Sequence, residues 1–235
     1  MSAAQASAQH PTPIPPPLVL LDLDGTLMDS APGITASVIA AFERLGLPVP
    51  DEQGLRSFVG PPLPASMRAH GVPEERLTEA VTAYRAAFEA GGMWDSRVFA
   101  GVPEVLQQLR GAGYTLAIAT SKPQVYARPI CERYGLSDLV DGVYGAPLDH
   151  IPSSKATVIA DALADLGPRV PTTERIVMVG DRHHDVEGSA EHGIACLGVD
   201  WGYADPGELA GAVAIVPAVA DLLAAISAQV RPRVG

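Results

Sequence analysis

The run LVLLDLDGTL at residues 18–27 is the most informative part of this sequence. It joins an apolar stretch to Asp22 and Asp24, which are separated by one residue and followed by Gly25. A continuously apolar run is typical of a strand covered on both faces of a parallel sheet. Strand periodicity places both carboxylates on one side of the chain, where the sheet opens to solvent, and Gly25 permits a sharp exit. Two carboxylates this close repel each other and need a cation or a shared proton.

Short apolar runs alternate with helix-length segments along most of the remaining chain. This alternation predicts an α/β fold with a doubly wound parallel sheet and right-handed crossovers. The predicted strands are 18–22, 114–119, 139–144, 175–180, 194–199 and 212–216, and the predicted helices between and after them are 103–111, 123–134, 155–166, 184–192 and 218–229.

Residues 30–97 interrupt the alternation, because they contain no convincing strand. Apolar spacing and the placement of proline and glycine predict helices there instead, over 34–47, 64–72 and 76–92. We therefore predict an all-helical insert that lies over the carboxyl edge of the sheet, where open α/β sheets bind ligands.

The insert divides the chain into a core, residues 18–29 and 98–235, and a helical insert, residues 30–97. Two linkers join them, and they contain Gly33, Gly91 and Gly92. Glycines at such positions could absorb the backbone rotation of a hinge.

Composition narrows the classes of partner. The 235 residues carry a formal net charge of −11, which argues against a nucleic-acid binder and against docking on anionic membranes. Residues 1–17 contain five prolines and no Lys, Arg, Asp or Glu, so they read as a disordered Pro- and Ala-rich leader rather than a secretory signal. Cys131 and Cys196 cannot form a disulfide framework and predict reduced residues of a cytoplasmic protein.

The most membrane-like stretch lies at residues 209–230. Pro217 and Asp221 interrupt it, so we expect a short buried strand followed by a helix rather than a membrane span.

A second carboxylate pair follows another apolar strand, in VGDRHHD at residues 179–185. Asp181 ends the strand and Asp185 lies one helical turn later. Asp181 should meet Asp22 and Asp24 at neighbouring strand ends, and such hard oxygen ligands suit Mg²⁺. The adjacent histidines lack cysteine neighbours and zinc-ligand spacing, so they favour an exposed helix start over a zinc site.

The chain holds only two lysines, Lys122 and Lys155, among its 16 basic residues. Lys155 starts a predicted helix, where the helix dipole disfavours a cation, so an electrostatic role is favoured over a surface one. Lys122 follows Thr120 and Ser121 at the end of a predicted strand. The hydroxyls could bond an anionic oxygen, although capping of the next helix is the ordinary role of such residues.

These elements, in this order, resemble the haloacid dehalogenase superfamily of phosphohydrolases, in the branch with a helical cap after the first strand. The resemblance covers residues 18 to about 230. It implies that Asp22 is the nucleophile and Asp24 the general acid and base, and that a Mg²⁺ cofactor is bound. The other implied roles are phosphate binding by Gly25, Thr26, Thr120, Ser121, Lys122 and Lys155, catalysis by Thr120 and Lys155 beside the two aspartates, and metal binding by Asp22, Asp24, Asp181 and Asp185.

The same resemblance argues against two other groups of the superfamily. Dehalogenases generally lack the second aspartate, which is present here as Asp24, and phosphonate-cleaving relatives need a cap lysine, which residues 30–97 do not contain. A sugar-phosphate mutase and a regulatory relative that handles protein phosphate stay open, because both keep the same catalytic groups.

The likeness is greatest to phosphoglycolate phosphatases and nucleotide phosphatases. Phe58, Gly60 and Pro61 resemble the substrate-facing loop of that branch, with Arg56 a candidate anion ligand. Lys155 is followed by Ala-Thr-Val rather than the Pro-x-Pro run common in phosphoglycolate phosphatases, which favours other phosphomonoesters. The expected partner is a small phosphorylated metabolite, with neither nucleic acid nor membrane, for a monomer or homodimer.

Overall fold

The computed structural model describes residues 14–148 and 154–230, so most of the predicted leader lies outside the described residues. Its strands are β1 (Leu18–Leu21), β2 (Met28–Asp29), β3 (Arg97–Val98), β4 (Thr115–Pro123), β5 (Gly142–Ala146), β6 (Ile176–Gly180), β7 (Ala195–Val199) and β8 (Ala214–Val216). Six of them form one parallel sheet in the order β5-β4-β1-β6-β7-β8. Each predicted strand overlaps one of these six, and the predicted α/β class is confirmed.

The α-helices are α1 (Ala31–Leu45), α2 (Glu52–Arg56), α3 (Leu63–Ala69), α4 (Leu77–Ala90), α5 (Val102–Gly111), α6 (Gln124–Arg133), α7 (Lys155–Leu166), α8 (His183–Ala190) and α9 (Leu222–Gln229). The first four lie in the helical insert, between β2 and β3. The last five alternate with the strands of the large sheet, as the sequence predicts.

Alternate side chains of β1 pack on opposite faces of the sheet. Val19 and Leu21 belong to the apolar cluster that includes residues of α5 and α9, whereas Leu18 and Leu20 belong to the cluster built on α7. All four are fully buried. Helices therefore cover both faces of the sheet, which explains why its strands are continuously apolar.

The strand order sets the position of the site. Because β1 lies between β4 and β6, the residues that follow these three parallel strands meet at one edge. In doubly wound sheets this carboxyl edge is where ligands bind.

The two linkers of the helical insert pair with each other. Met28 lies opposite Val98, and Asp29 opposite Arg97, in an antiparallel ladder that the sequence did not predict because each strand is two residues long. Next to it, the Gly33 amide donates a hydrogen bond to the Asp95 carbonyl. This pairing fixes where the insert leaves and rejoins the core.

The apolar stretch near the carboxyl terminus contains β8 and α9, as predicted. A single 3₁₀ turn, Val219–Asp221, precedes α9, so the helix starts later than the predicted residue 218. Among residues 14–148 and 154–230, no helix is long and apolar enough to cross a membrane.

Candidate active site

Three buried carboxylates meet at the edge of the sheet. Asp22 follows β1, Asp181 follows β6, and Asp185 lies in the first turn of α8. One oxygen of each lies within 4.8 Å of the others. Asp181 and Asp185 have no exposed surface, and Asp22 is 3% exposed. Hard oxygen ligands this close together are suited to a divalent cation.

Lys155 joins two of these carboxylates. Its Nζ lies 2.7 Å from Asp22 Oδ1 and 2.7 Å from Asp185 Oδ1, and it donates to the Ala119 carbonyl at 3.0 Å. Lys155 is the first residue of α7, which Ser154 caps by accepting a hydrogen bond from the Thr157 amide. The helix start therefore brings the ammonium into the carboxylate cluster.

The cluster contains more carboxylates than positively charged groups. Burial raises the pKa of Asp22 to about 6, although Lys155 opposes the rise, and the carboxylates of Asp185 and Asp24 add to it. Burial, then Asp22 and Asp185, raise the pKa of Asp181 above its ordinary value. Burial would lower the pKa of Lys155, but the two carboxylates beside it raise it. One lysine thus leaves excess negative charge, which a divalent cation would neutralise.

The segment after β1 and the loop after β7 both hold Asp181 in place. The Thr26 hydroxyl donates to Asp181 Oδ1 at 3.2 Å, and the Tyr203 amide donates to Asp181 Oδ2 at 2.8 Å. Gly25 has φ +86°, and a Cβ there would lie 2.1 Å from Asp181 Oδ2. The Thr26 hydroxyl and the space beside Gly25 thus both face Asp181, and the phosphate-binding role that the resemblance implies for these two residues stays a prediction.

Asp24 lies outside the cluster of Asp22, Asp181 and Asp185, so its predicted role as a metal ligand stays a prediction. Its Oδ2 pairs with Lys122 Nζ at 2.6 Å, and its Oδ1 accepts a hydrogen bond from Ser30 Oγ at 2.5 Å. The two lysines therefore have separate partners: Lys122 pairs with Asp24, and Lys155 pairs with Asp22 and Asp185. The sequence analysis missed Ser30, because nothing local marks the residue that enters the insert as a partner of Asp24.

The residues after Ala119 extend β4 rather than starting a helix. The Thr120 hydroxyl accepts a hydrogen bond from the Lys122 amide at 3.2 Å, and neither Thr120 nor Ser121 caps α6, whose N-cap is Pro123. The capping alternative is therefore wrong. Thr120 is 1% exposed and lies in β4, the strand that pairs with β1 on one side and β5 on the other.

A cavity of about 750 Å³ lies between the helical insert and this edge. Asp24, Ser121 and Lys122 lie at its core side, and Phe58, Gly60 and Pro61 line it from the insert, where the sequence places the substrate-facing loop. Much of the remaining wall is apolar or aromatic, contributed by Ile34, Leu63, Leu77, Val81, Tyr84, Phe88 and Tyr126.

Arg56 does not line this cavity. It lies in a separate cleft of about 480 Å³, with its guanidinium 5.4 Å from the centre of the Tyr203 ring. α2 turns its last residue toward Tyr203, so the role of Arg56 as an anion ligand stays a prediction that this cavity does not support.

The adjacent histidines belong to another network. His183 Nδ1 lies 2.6 Å from Glu208 Oε1, and the His183 and His184 rings pack with their centres 3.8 Å apart. In the part of the chain that the structure describes, the group of three or more potential metal ligands is Asp22, Asp181 and Asp185, and neither histidine belongs to it.

Known proteins share this arrangement of sequence and fold. Residues 19–199 match the family model of haloacid dehalogenase-like hydrolases. The chain is 42% identical over 194 residues to a 5'-nucleotidase of Pseudomonas aeruginosa, covering 82% of this chain and 86% of that protein. It is 45% identical over 188 residues to the tyrosine-protein kinase PtkA of Mycobacterium tuberculosis, covering 80% of this chain and 63% of that protein.

A solved structure agrees with these likenesses. The crystal structure of a predicted phosphatase from Clostridium acetobutylicum is 38% identical, with a TM-score of 0.84, and the match covers 91% of this chain and 99% of that one. Family match, phosphatase-named relatives and fold lead to one assignment. The chain belongs to the haloacid dehalogenase-like hydrolase family and is a phosphoric monoester hydrolase.

Proposed function

We propose that this protein is a Mg²⁺-dependent phosphatase that hydrolyses a small phosphomonoester through an aspartyl-phosphate on Asp22. The observation that carries the proposal is the meeting of Asp22, Asp181, Asp185 and Lys155 at one buried edge, beside a cavity whose floor includes Asp24.

In the first step an Asp22 carboxylate oxygen attacks phosphorus, and the bond from phosphorus to the leaving oxygen breaks. Asp24 gives its proton to that oxygen as general acid. In the second step Asp24 accepts a proton from water, the water oxygen bonds to phosphorus, and the bond to Asp22 breaks. Lys155 offsets the charge of Asp22 as the phosphate approaches, and the Thr120 hydroxyl donates a hydrogen bond to a phosphoryl oxygen in this mechanism.

Asp22, Asp181 and Asp185 would hold the Mg²⁺. The fit rests on their buried, incompletely neutralised charge. When bound, the ion supplies positive charge that compensates the carboxylates and the phosphate. Thr26 and the Tyr203 amide fix the orientation of Asp181 for that purpose.

The cavity favours a substrate with a nucleoside-sized organic part. At about 750 Å³ it lies in the upper part of the usual range for small-molecule sites, about 300–1,000 Å³, and is generous for a two-carbon acid. Tyr84 and Phe88 stack with their ring planes 13° apart, and Phe58 stacks on His70. Aromatic walls suit a planar base, so we place the activity nearer to a 5'-nucleotidase than to a phosphoglycolate phosphatase.

A second candidate is phosphoryl handling on a protein tyrosine. It is supported by the 45% identity to PtkA, and a tyrosyl ring also suits the aromatic wall. A sugar-phosphate mutase would share the chemistry but transfer the phosphoryl group to a second sugar hydroxyl instead of water.

The test is a panel of nucleoside 5'-monophosphates, phosphoglycolate, hexose phosphates and a phosphotyrosyl peptide, ranked by kcat/KM with Mg²⁺ and with EDTA. We expect the nucleotides to rank first, EDTA to abolish turnover, and Asp22→Asn to be inactive. Binding of Mg²⁺ should be seen without turnover, as thermal stabilisation that Asp181→Asn loses. Full activity in EDTA, or in Asp22→Asn, would refute the mechanism. Preference for the phosphotyrosyl peptide would favour protein phosphoryl handling. Formation of a hexose bisphosphate would favour a mutase.

A further inference from the structure

Arg182 links the core to the helical insert, although it directly follows Asp181 in the chain. Its Nε donates to Glu208 Oε1 at 2.7 Å, and its Nη1 donates to the Val59 carbonyl at 2.5 Å. The residue is 6% exposed, and the resemblance to the family assigns it no role although it lies in the run VGDRHHD. Its side chain therefore spans the boundary between the metal-binding edge and the insert.

Glu208 anchors the core end of this link. Besides Arg182, its Oε1 accepts from the His183 amide at 3.1 Å, and its Oε2 accepts from the Asp205 amide at 2.8 Å. Burial would raise the pKa of Glu208, but the hydrogen bonds from Arg182 and His183 lower it to about 2. The carboxylate is thus ionised at neutral pH and holds the guanidinium in a fixed orientation.

The insert end of the link is the loop that lines the cavity. Val59 is fully buried, and its neighbours Phe58 and Gly60 both line the cavity wall. Gly60 has φ +101°, and a Cβ there would lie 2.9 Å from Arg182 Cγ. The loop therefore rests directly on the aliphatic part of Arg182 while its carbonyl binds the guanidinium.

We propose that Arg182 is a positioning residue: it fixes the loop of residues 58–62 above the catalytic edge and so sets selectivity for the organic part of the substrate. The effect on substrate selectivity rests on the proposed function, because it can be measured only if the protein is a phosphatase. Arg182 is not among the described residues that line the cavity, whereas Phe58 and Gly60 are, so its side chain acts on the substrate through the loop.

The test compares Arg182→Met with Arg76→Met. Methionine keeps an aliphatic stem against Gly60 and removes the donors. Arg76 is a matched control, because its Nε donates to Glu79 and its Nη1 to the Leu45 carbonyl, both at 2.9 Å, but both partners lie within the insert. The substrates are a nucleoside 5'-monophosphate, which fills the cavity, and acetyl phosphate, whose organic part is too small to reach the loop.

For Arg182→Met we expect kcat/KM for the nucleotide to fall about tenfold to a hundredfold, mainly through KM, since two charge-assisted hydrogen bonds are lost. For acetyl phosphate the change should stay within about threefold. Arg76→Met should leave kcat/KM for both substrates within about threefold of the wild-type values. Glu208→Gln should lower kcat/KM for the nucleotide by a smaller factor. It replaces Arg182→Met in the test if that variant fails to fold.

Equal loss on both substrates would overturn the inference, because Arg182 would then act on the phosphoryl or metal chemistry. No loss on either would overturn it as well. Hydrogen exchange of the amides of residues 57–60 and of Leu63 tests the link without turnover: Arg182→Met should speed it at least about tenfold, and Arg76→Met should not. If the wild type hydrolyses neither substrate, the proposed function fails, yet the exchange comparison still decides whether Arg182 holds the loop.

Discussion

Lys155 Nζ lies 2.7 Å from Asp22 Oδ1, although 133 positions separate the two residues in the chain. The same ammonium lies 2.7 Å from Asp185 Oδ1. A single side chain therefore pairs with two buried carboxylates from different elements, and its removal should affect both stability and chemistry.

We expect Lys155→Met to lower the free energy of unfolding by about 3–5 kcal/mol, because it leaves buried carboxylates without a partner. Turnover should be lost with it. Urea denaturation measures the first effect, and the double variant Asp22→Asn/Lys155→Met should recover part of the stability but none of the activity. A Lys155→Met protein as stable as the wild type would contradict this account.

Stability of the metal-free protein should fall as pH rises. The pKa of Asp22 is about 6 in the fold, against an ordinary value of 3.8, so the folded state binds this proton more tightly than the unfolded state does. The contribution is fully present below pH 3.8 and is lost as pH rises through about 6. Urea unfolding in EDTA at a series of pH values measures this slope.

Asp22→Asn supplies the control for that slope, since its amide does not titrate. The variant should keep the fold, lose turnover, and show a flatter pH dependence than the wild type in EDTA. An unchanged slope would mean that Asp22 does not carry the effect.

Thr26→Val should weaken Mg²⁺ binding about tenfold to a hundredfold, the usual effect of losing a hydrogen bond that orients a metal ligand. Its hydroxyl donates to Asp181 Oδ1 at 3.2 Å, and valine has nearly the same shape without the donor. Isothermal titration with Mg²⁺ measures the change. Thr26→Ser keeps the hydroxyl and should bind as the wild type does; equal weakening in both variants would point to packing instead.

Gly33→Ala should displace the linkers of the helical insert. A Cβ at Gly33 would lie 1.8 Å from the Gly92 carbonyl oxygen, so the two linkers must separate. We expect a lower Tm and a larger radius of gyration by X-ray scattering. Gly91→Ala is the matched control, because nothing lies within 4 Å of a Cβ at that position. If both variants behave like the wild type, the linkers are not held by this contact.

The sequence predicted those parts of the molecule that depend on short-range residue patterns. All six strands of the sheet and the helices between them follow from apolar runs and their spacing. Asp22, Asp181 and Lys155 were identified because each lies at a strand end or helix start, and parallel pairing brings those points together.

What the sequence did not reveal depends on contacts between distant segments. Ser30 and Tyr203 bind Asp24 and Asp181 only because the insert entry and the loop after β7 fold back onto the edge. The position of Arg56 in a separate cleft could not be predicted for the same reason, since the orientation of α2 is set by its packing and not by its own residues. Asp24 was grouped with the metal ligands because strand periodicity puts it on the same side of the chain as Asp22, while its partners Lys122 and Ser30 come from other segments.

The central place of β1 in the sheet also bears on refolding. A slip of one residue against β4 or β6 would turn the side chain of Asp22 to the opposite face, since side chains alternate along a strand. A misregistered molecule would then be inactive rather than slower. Recovered turnover after dilution from denaturant would therefore count only correctly paired molecules, whereas circular dichroism would count misregistered ones as well.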